Sequence, residues 1–230
     1  IYVANADGTD RIAISSTAPG TDPVDNLEPR WSPDGERIAW RGSSGGTSRI
    51  YIADPDGQNR LILSDVAGGA DPTSNRDPAF SPDGRVAWSG LGSAGRQIYV
   101  ADIDGADRSR ISNVSPGTDP TGNLEPAWSR TGGSIAWMGH DGSTTEIYVA
   151  AADGSGRWVV SDTTFPGPDP TDNQAPAWSP TSDMIVWSGD ELGSRWVYYT
   201  DGSGAGPIQA IQTPGVTDGR RPQWSPDGAR

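Results

Sequence analysis

An eight-residue phrase, "EPRWSPDG" at residues 28–35, returns as "DPAFSPDG" from Asp77, "EPAWSRTG" from Glu125, "APAWSPTS" from Ala175 and "RPQWSPDG" from Arg221. A second marker keeps step with it. "IYV" at Ile1 recurs as "IYI" at Ile50, "IYV" at Ile98 and Ile147, and "VYY" at Val197, always 48–50 residues on. A third, at Trp40, Trp88, Trp137 and Trp187, follows eight or nine residues behind the aromatic of the phrase (Trp31, Phe80, Trp128, Trp178; Trp224 in the fifth). A period near 49 made of several short apolar runs excludes helical solenoids, whose units would show 3.6-residue periodicity, and points to a propeller.

Within one unit four strands can be read. "RWS" begins the first, and "SPDG" is a turn with Pro second and Gly fourth, as type I turns prefer. "RIAW" is the second strand, a Gly/Ser-rich hairpin follows, "RIYIA" is the third, and "RLILS" after the "DPDG" turn is the fourth. Runs such as "IYVA" and "LIL" are apolar on both faces, which suits sheets stacked between neighbours. The reading is all-β: a β-propeller of four-stranded antiparallel blades, one domain over residues 1–230, with five repeats that make either a five-bladed ring or part of a larger propeller. The phrase at the end supplies a first strand that the third and fourth strands at residues 1–15 lack, so the last blade is expected to be closed by both termini. The second strand of that blade is missing, which suggests an incomplete chain.

Composition narrows the function. The net charge is −13, the 17 basic residues are all Arg, and no three of them cluster, which argues against nucleic acid and anionic membranes. No Cys is present, so disulfides, thiolate metal sites and cysteine nucleophiles are excluded. The longest apolar run, Ile147–Ala152, is too short to cross a bilayer as a helix.

The order P-x-W-S-P-D-G, I-A-W, I-Y-V-A, D-x-D-G, R-L looks like the WD40-like Pro-Asp repeat of TolB-type β-propellers, and it covers essentially the whole chain. It departs from the family in showing five copies where TolB resembles a six-bladed ring, and in losing parts of "SPDG" in the third and fourth copies. The resemblance implies a non-catalytic platform for protein or peptide partners in the bacterial cell envelope, periplasmic or extracellular. The alternative it implies is the accessory propeller of a larger peptidase- or lyase-like enzyme whose catalytic part lies outside this chain.

Candidate site residues come from the loop entering each phrase. Each of four copies carries Asp (Asp22, Asp71, Asp119, Asp169), then Pro, then Asn four positions after the Asp (Asn26, Asn75, Asn123, Asn173). An acid stands two positions beyond the Asn in three copies, at Glu28, Asp77 and Glu125, and the fifth loop replaces it by Arg220 and Arg221. In a propeller such loops gather on one face. The functional reading is an acidic rim, interrupted by the two arginines, that receives a basic or extended segment of a partner. Asp and Asn alternatively do no more than build the turns, because their side chains cap the local backbone. No cofactor is required. If a metal binds, Glu28, Asp77 and Glu125 are its candidate ligands, and oxygen donors without His or Cys favour calcium.

Other motifs are weaker. Gly42-Ser43-Ser44-Gly45-Gly46 matches G-x-S-x-G but lies in a hairpin rather than on a strand-to-helix turn. His140 is the sole histidine and sits at a hairpin, and no catalytic residue is assigned. "DPDG" at Asp54 and "DIDG" at Asp102 read as hairpin turns. The aromatic of each phrase is expected to be buried between blades, leaving Trp158 and Trp196, outside every series, for surface recognition.

Overall fold

Short apolar runs punctuated by Gly and Pro fold here into strands and almost nothing else. The computed structural model describes residues 1–15, 23–65, 72–112, 120–162, 170–191, 193–211 and 219–229. Its contacts group into two compact units, residues 1–94 with 99–109, and residues 95–98 with 110–230.

In the first unit, β1 (Tyr2–Val3) and β2 (Ile12–Ala13) form a two-stranded sheet. Next comes a four-stranded antiparallel sheet of β3 (Asp25–Trp31), β4 (Ile38–Ser44), β5 (Thr47–Ala53) and β6 (Leu61–Ile62). A short 3-10 turn, Leu63–Asp65, follows. The strands β7 (Thr73–Phe80) and β8 (Val86–Gly92) continue into β9 (Gly95–Ala101), which carries β10 (Ser109–Arg110). The second unit holds the sheet β11 (Gly122–Trp128), β12 (Ser134–His140), β13 (Thr145–Ala151) and β14 (Trp158–Val159). It also holds β15 (Thr171–Trp178), β16 (Met184–Glu191), β17 (Ser194–Asp201) and β18 (Gln209–Ile211). The four strands per repeat read from the sequence are present as antiparallel four-stranded sheets.

The shared closing blade is not formed as a sheet among the described residues. Strands β1 and β2 pair with each other, and residues 219–229 contain no strand.

Each full sheet is built around one repeated packing unit. Trp40, Trp88, Trp137 and Trp187 on the second strand are fully buried. Each stacks on the tyrosine of the third strand: Trp40 on Tyr51 at 5.7 Å, Trp88 on Tyr99 at 5.9 Å, Trp137 on Tyr148 at 5.9 Å and Trp187 on Tyr198 at 6.1 Å. Offset stacks of this kind add about 0.5–1.5 kcal/mol to the burial itself. Arg60 lies over Tyr51 and Arg157 over Tyr148, extending two of the stacks with a cation. Two residues beyond each Trp stands a glycine whose missing side chain is required. A Cβ at Gly139 would lie 2.6 Å from the Tyr148 ring and 2.7 Å from Pro120.

Burial of the phrase aromatic is uneven. Trp128 is buried, and Phe80 and Trp178 pack half-buried against core clusters. Trp224 is half-buried, with its Nε1 donating to Ala177 O at 3.2 Å. Trp31 departs from expectation and is 52% exposed. Ile14, with Ile1 and Val3, belongs to the Trp40 cluster, and Trp31 is not part of that cluster. Trp158 and Trp196, expected at the surface, pack half-buried against the core of the second unit.

Candidate site at the strand bulges

Every phrase begins with a residue followed by proline, and in the first four this pair lies inside the first strand of its sheet. Proline has no N–H for the ladder and is tolerated in sheets chiefly at bulges and edges. The register accordingly slips between Leu27 and Arg30, Arg76 and Ala79, Leu124 and Ala127, and Gln174 and Ala177. The residue before the proline takes the left-handed conformation in all five repeats: φ is 58° at Glu28, 56° at Asp77, 53° at Glu125, 55° at Ala175 and 50° at Arg221. This conformation costs a residue with a Cβ roughly 1–2 kcal/mol, so something must hold it.

At Asp77 and Ala175 the holding group is the carboxylate one repeat earlier. Glu28 Oε2 accepts the Asp77 N–H at 2.8 Å, and Glu125 Oε2 accepts the Ala175 N–H at 2.8 Å. A charge-assisted hydrogen bond of this length offsets the strain. The other carboxylate oxygens face arginine: Glu28 Oε1 is 3.4 Å from Arg41 Nε, Asp77 Oδ2 is 3.4 Å from Arg76 Nε, and Glu125 Oε1 is 3.8 Å from Arg221 Nη2. The Nε groups of Arg41 and Arg76 are shielded without forming a hydrogen bond. Glu28 and Glu125, expected at a rim, are therefore also ties between consecutive first strands, and each of the three acids has a guanidinium beside it. The sequence reading places Arg221 on the rim but not Arg41 or Arg76.

The four asparagines do a different job. Asn75, Asn123 and Asn173 are fully buried and Asn26 is half-buried. Each accepts the indole N–H of the stacked Trp, at 2.9 Å for Trp40, 3.0 Å for Trp88, 2.7 Å for Trp137 and 2.8 Å for Trp187. Each also donates to the carbonyl of the proline three residues earlier, at 2.7–3.0 Å. Asn75, Asn123 and Asn173 donate again to Ser48 O, Arg96 O and Glu146 Oε2, reaching the third strand of the preceding repeat. Both ends of the three buried amides are engaged within the fold. The sequence holds the signal in the constant separation of 13 or 14 residues from Asn to Trp.

Asp22, Asp71, Asp119 and Asp169 lie outside the described residues. Arg220 and Arg221 are exposed. Arg220 and the bidentate Arg195 hold the Asp190 carboxyl below its ordinary range, the Arg195 hydrogen bond contributing most. His140 sits in its hairpin with Nδ1 against Thr144 O and Thr145 Oγ1. Ser43 and Ser44 lie in β4 and lead directly into the Gly45-Gly46 turn of the β4–β5 hairpin. Among the described residues no three His, Cys, Asp or Glu side chains gather as a metal site, and no helix is long and apolar enough to cross a membrane.

Comparison with known proteins agrees with this architecture. The chain is similar to TolB from Acinetobacter baumannii, with a TM-score of 0.67 and 20% identity over 99% of this chain and 51% of that one. It thus spans about half the length of that relative. A protein from Agrobacterium tumefaciens assigned as a TolB matches with a TM-score of 0.64 and 20% identity, over 95% of this chain and 79% of its own. The β-propeller domain of the Trilobed protease from Pyrococcus furiosus, which has an open velcro topology, matches with a TM-score of 0.55 and 15% identity, over 81% and 57%. No curated protein matches the sequence. The family model for the TolB beta propeller domain matches residues 1–160, well over half of the chain, and the protein belongs to that family.

Proposed function

We propose that this chain is a non-catalytic propeller scaffold, one domain in its working form, that docks an extended protein or peptide segment at the strand bulges. The observation that carries the reading is the repeated placement of Glu28, Asp77 and Glu125. Each stands at the same strained backbone position and is only partly covered, with one carboxylate oxygen loosely paired at 3.4–3.8 Å. An incoming Arg or Lys can take over that oxygen while the ties made by Glu28 and Glu125 stay in place. A net charge of −13 would draw a basic segment toward the molecule. The family relation and the absence of any long apolar helix among the described residues support a place in the periplasm or outside the cell.

The test is titration of a fluorescent hexa-arginine peptide, at low and at physiological salt, against the parent and a Glu28→Gln/Glu125→Gln variant. Saturable binding that weakens at least fivefold in the variant supports the reading. Equal binding to both would sink it. Calorimetry with calcium on the same pair tests the metal arm: heat in the parent and none in the variant would assign the cation to these carboxylates.

A second reading is the accessory propeller of a larger peptidase-like enzyme, supported by the likeness to the propeller domain of the Trilobed protease. A hydrolase domain in the full-length gene product would favour it.

A further inference from the structure

Two ties join consecutive bulges, and the residue that would supply one to Arg221 is an alanine. Glu28 serves Asp77 and Glu125 serves Ala175, but the fourth repeat carries Ala175 where an acid would serve Arg221. Arg221 still adopts the left-handed conformation at φ 50°, and its segment is anchored on the fourth sheet by the Trp224 bond to Ala177 O. Among the described residues, the backbone N–H of Arg221 has no hydrogen-bond partner. Its guanidinium reaches back across the step to Glu125 at 3.8 Å, beyond hydrogen-bond range, and its side chain is 81% exposed. The neighbouring Arg220 adds a second cation, held toward Asp190.

We propose that this step is a carboxylate-binding subsite. An external carboxylate, from a peptide C-terminus or from an Asp or Glu side chain, takes the place that residue 175 leaves vacant. It accepts the Arg221 N–H as Glu28 accepts that of Asp77, and it draws the guanidinium away from its long contact with Glu125. Glu125 keeps its bond to Ala175 N throughout. Ala175 ends at Cβ and brings no acceptor of its own. The subsite does not depend on the docking of basic segments, since its ligand carries the opposite charge.

The experiment follows the backbone amide resonance of residue 221 by 15N-edited NMR during titration with two hexapeptides of zero net charge. One has a free C-terminal carboxylate and no acidic side chain; the other is amidated and carries one internal Glu. Ionic strength is held constant. In the parent, the residue 221 amide shifts downfield and saturates with at least one peptide, and which one does so identifies the source of the carboxylate. In Ala175→Glu the resonance already lies downfield and the peptide response falls at least tenfold. Ala175→Gln fills the same space without charge and shows an intermediate response. No shift with either peptide in the parent overturns the proposal, as does an undiminished shift in Ala175→Glu.

Discussion

Asn123 Oδ1 accepts a 2.7 Å hydrogen bond from the indole of Trp137, while the same amide donates to Pro120 O and Arg96 O. One buried side chain thereby joins the loop before its strand, the central Trp of its own sheet and the preceding repeat. Removing it in Asn123→Ala leaves an indole N–H and a carbonyl buried without partners, which costs about 3 kcal/mol. Urea denaturation measures this. A loss below about 1 kcal/mol would return Asn123 to ordinary turn chemistry.

The two tryptophan series separate under the same test. Trp137 is fully buried and stacked, so Trp137→Ala is expected to cost about 3–5 kcal/mol, because a stiff sheet cannot close over the cavity. Trp31, at 52% exposed, should cost less than about 1 kcal/mol. Similar melting shifts for the two variants would contradict this packing.

Glu125→Ala leaves Ala175 strained without its carboxylate and is expected to lose about 2 kcal/mol, whereas Glu125→Gln, still an acceptor, loses about 1 kcal/mol. Glu28 should behave alike through Asp77. Equal stability of the Ala and Gln variants would show that charge and acceptor contribute nothing to the tie.

Acid stability is set by turn carboxylates. Asp141 is held at about 2, chiefly by the backbone N–H groups of Thr144 and Ser143 and by the Ser143 hydroxyl. Asp34 and Asp227 are lowered in the same way by the serine of "SPDG". A depressed carboxyl lends stability that is fully present above its unfolded value of 3.8 and is lost as pH falls through the folded one. Thermal stability should thus stay level above about pH 4 and fall between about pH 4 and 2. Asp141→Asn should flatten part of that slope, and an unchanged slope would discount Asp141.

Period, strand count and turn chemistry were readable because they rest on local patterns: "SPDG" turns, apolar runs and a Trp at fixed spacing. The site was only partly readable. A Pro-rich loop with Asp and Asn looks the same whether its amides bind a ligand or pin a Trp 14 residues away, and only the recurrence of that interval distinguishes them. The acid before proline likewise marks a strand bulge, but its hydrogen-bond partner lies some 50 residues further on. Exposure of Trp31 depends on how much of a neighbouring sheet stands beside it, which no local pattern encodes.

The left-handed position ahead of each proline has one more consequence. Backbone geometry there is the same whether the residue is Glu, Asp, Ala or Arg. The chain can therefore rewrite that position repeat by repeat, changing sign, length or emptiness, without disturbing the sheet beneath. Five sockets of one shape carry interchangeable fittings, so a change of partner can be made by single substitutions on an unaltered frame.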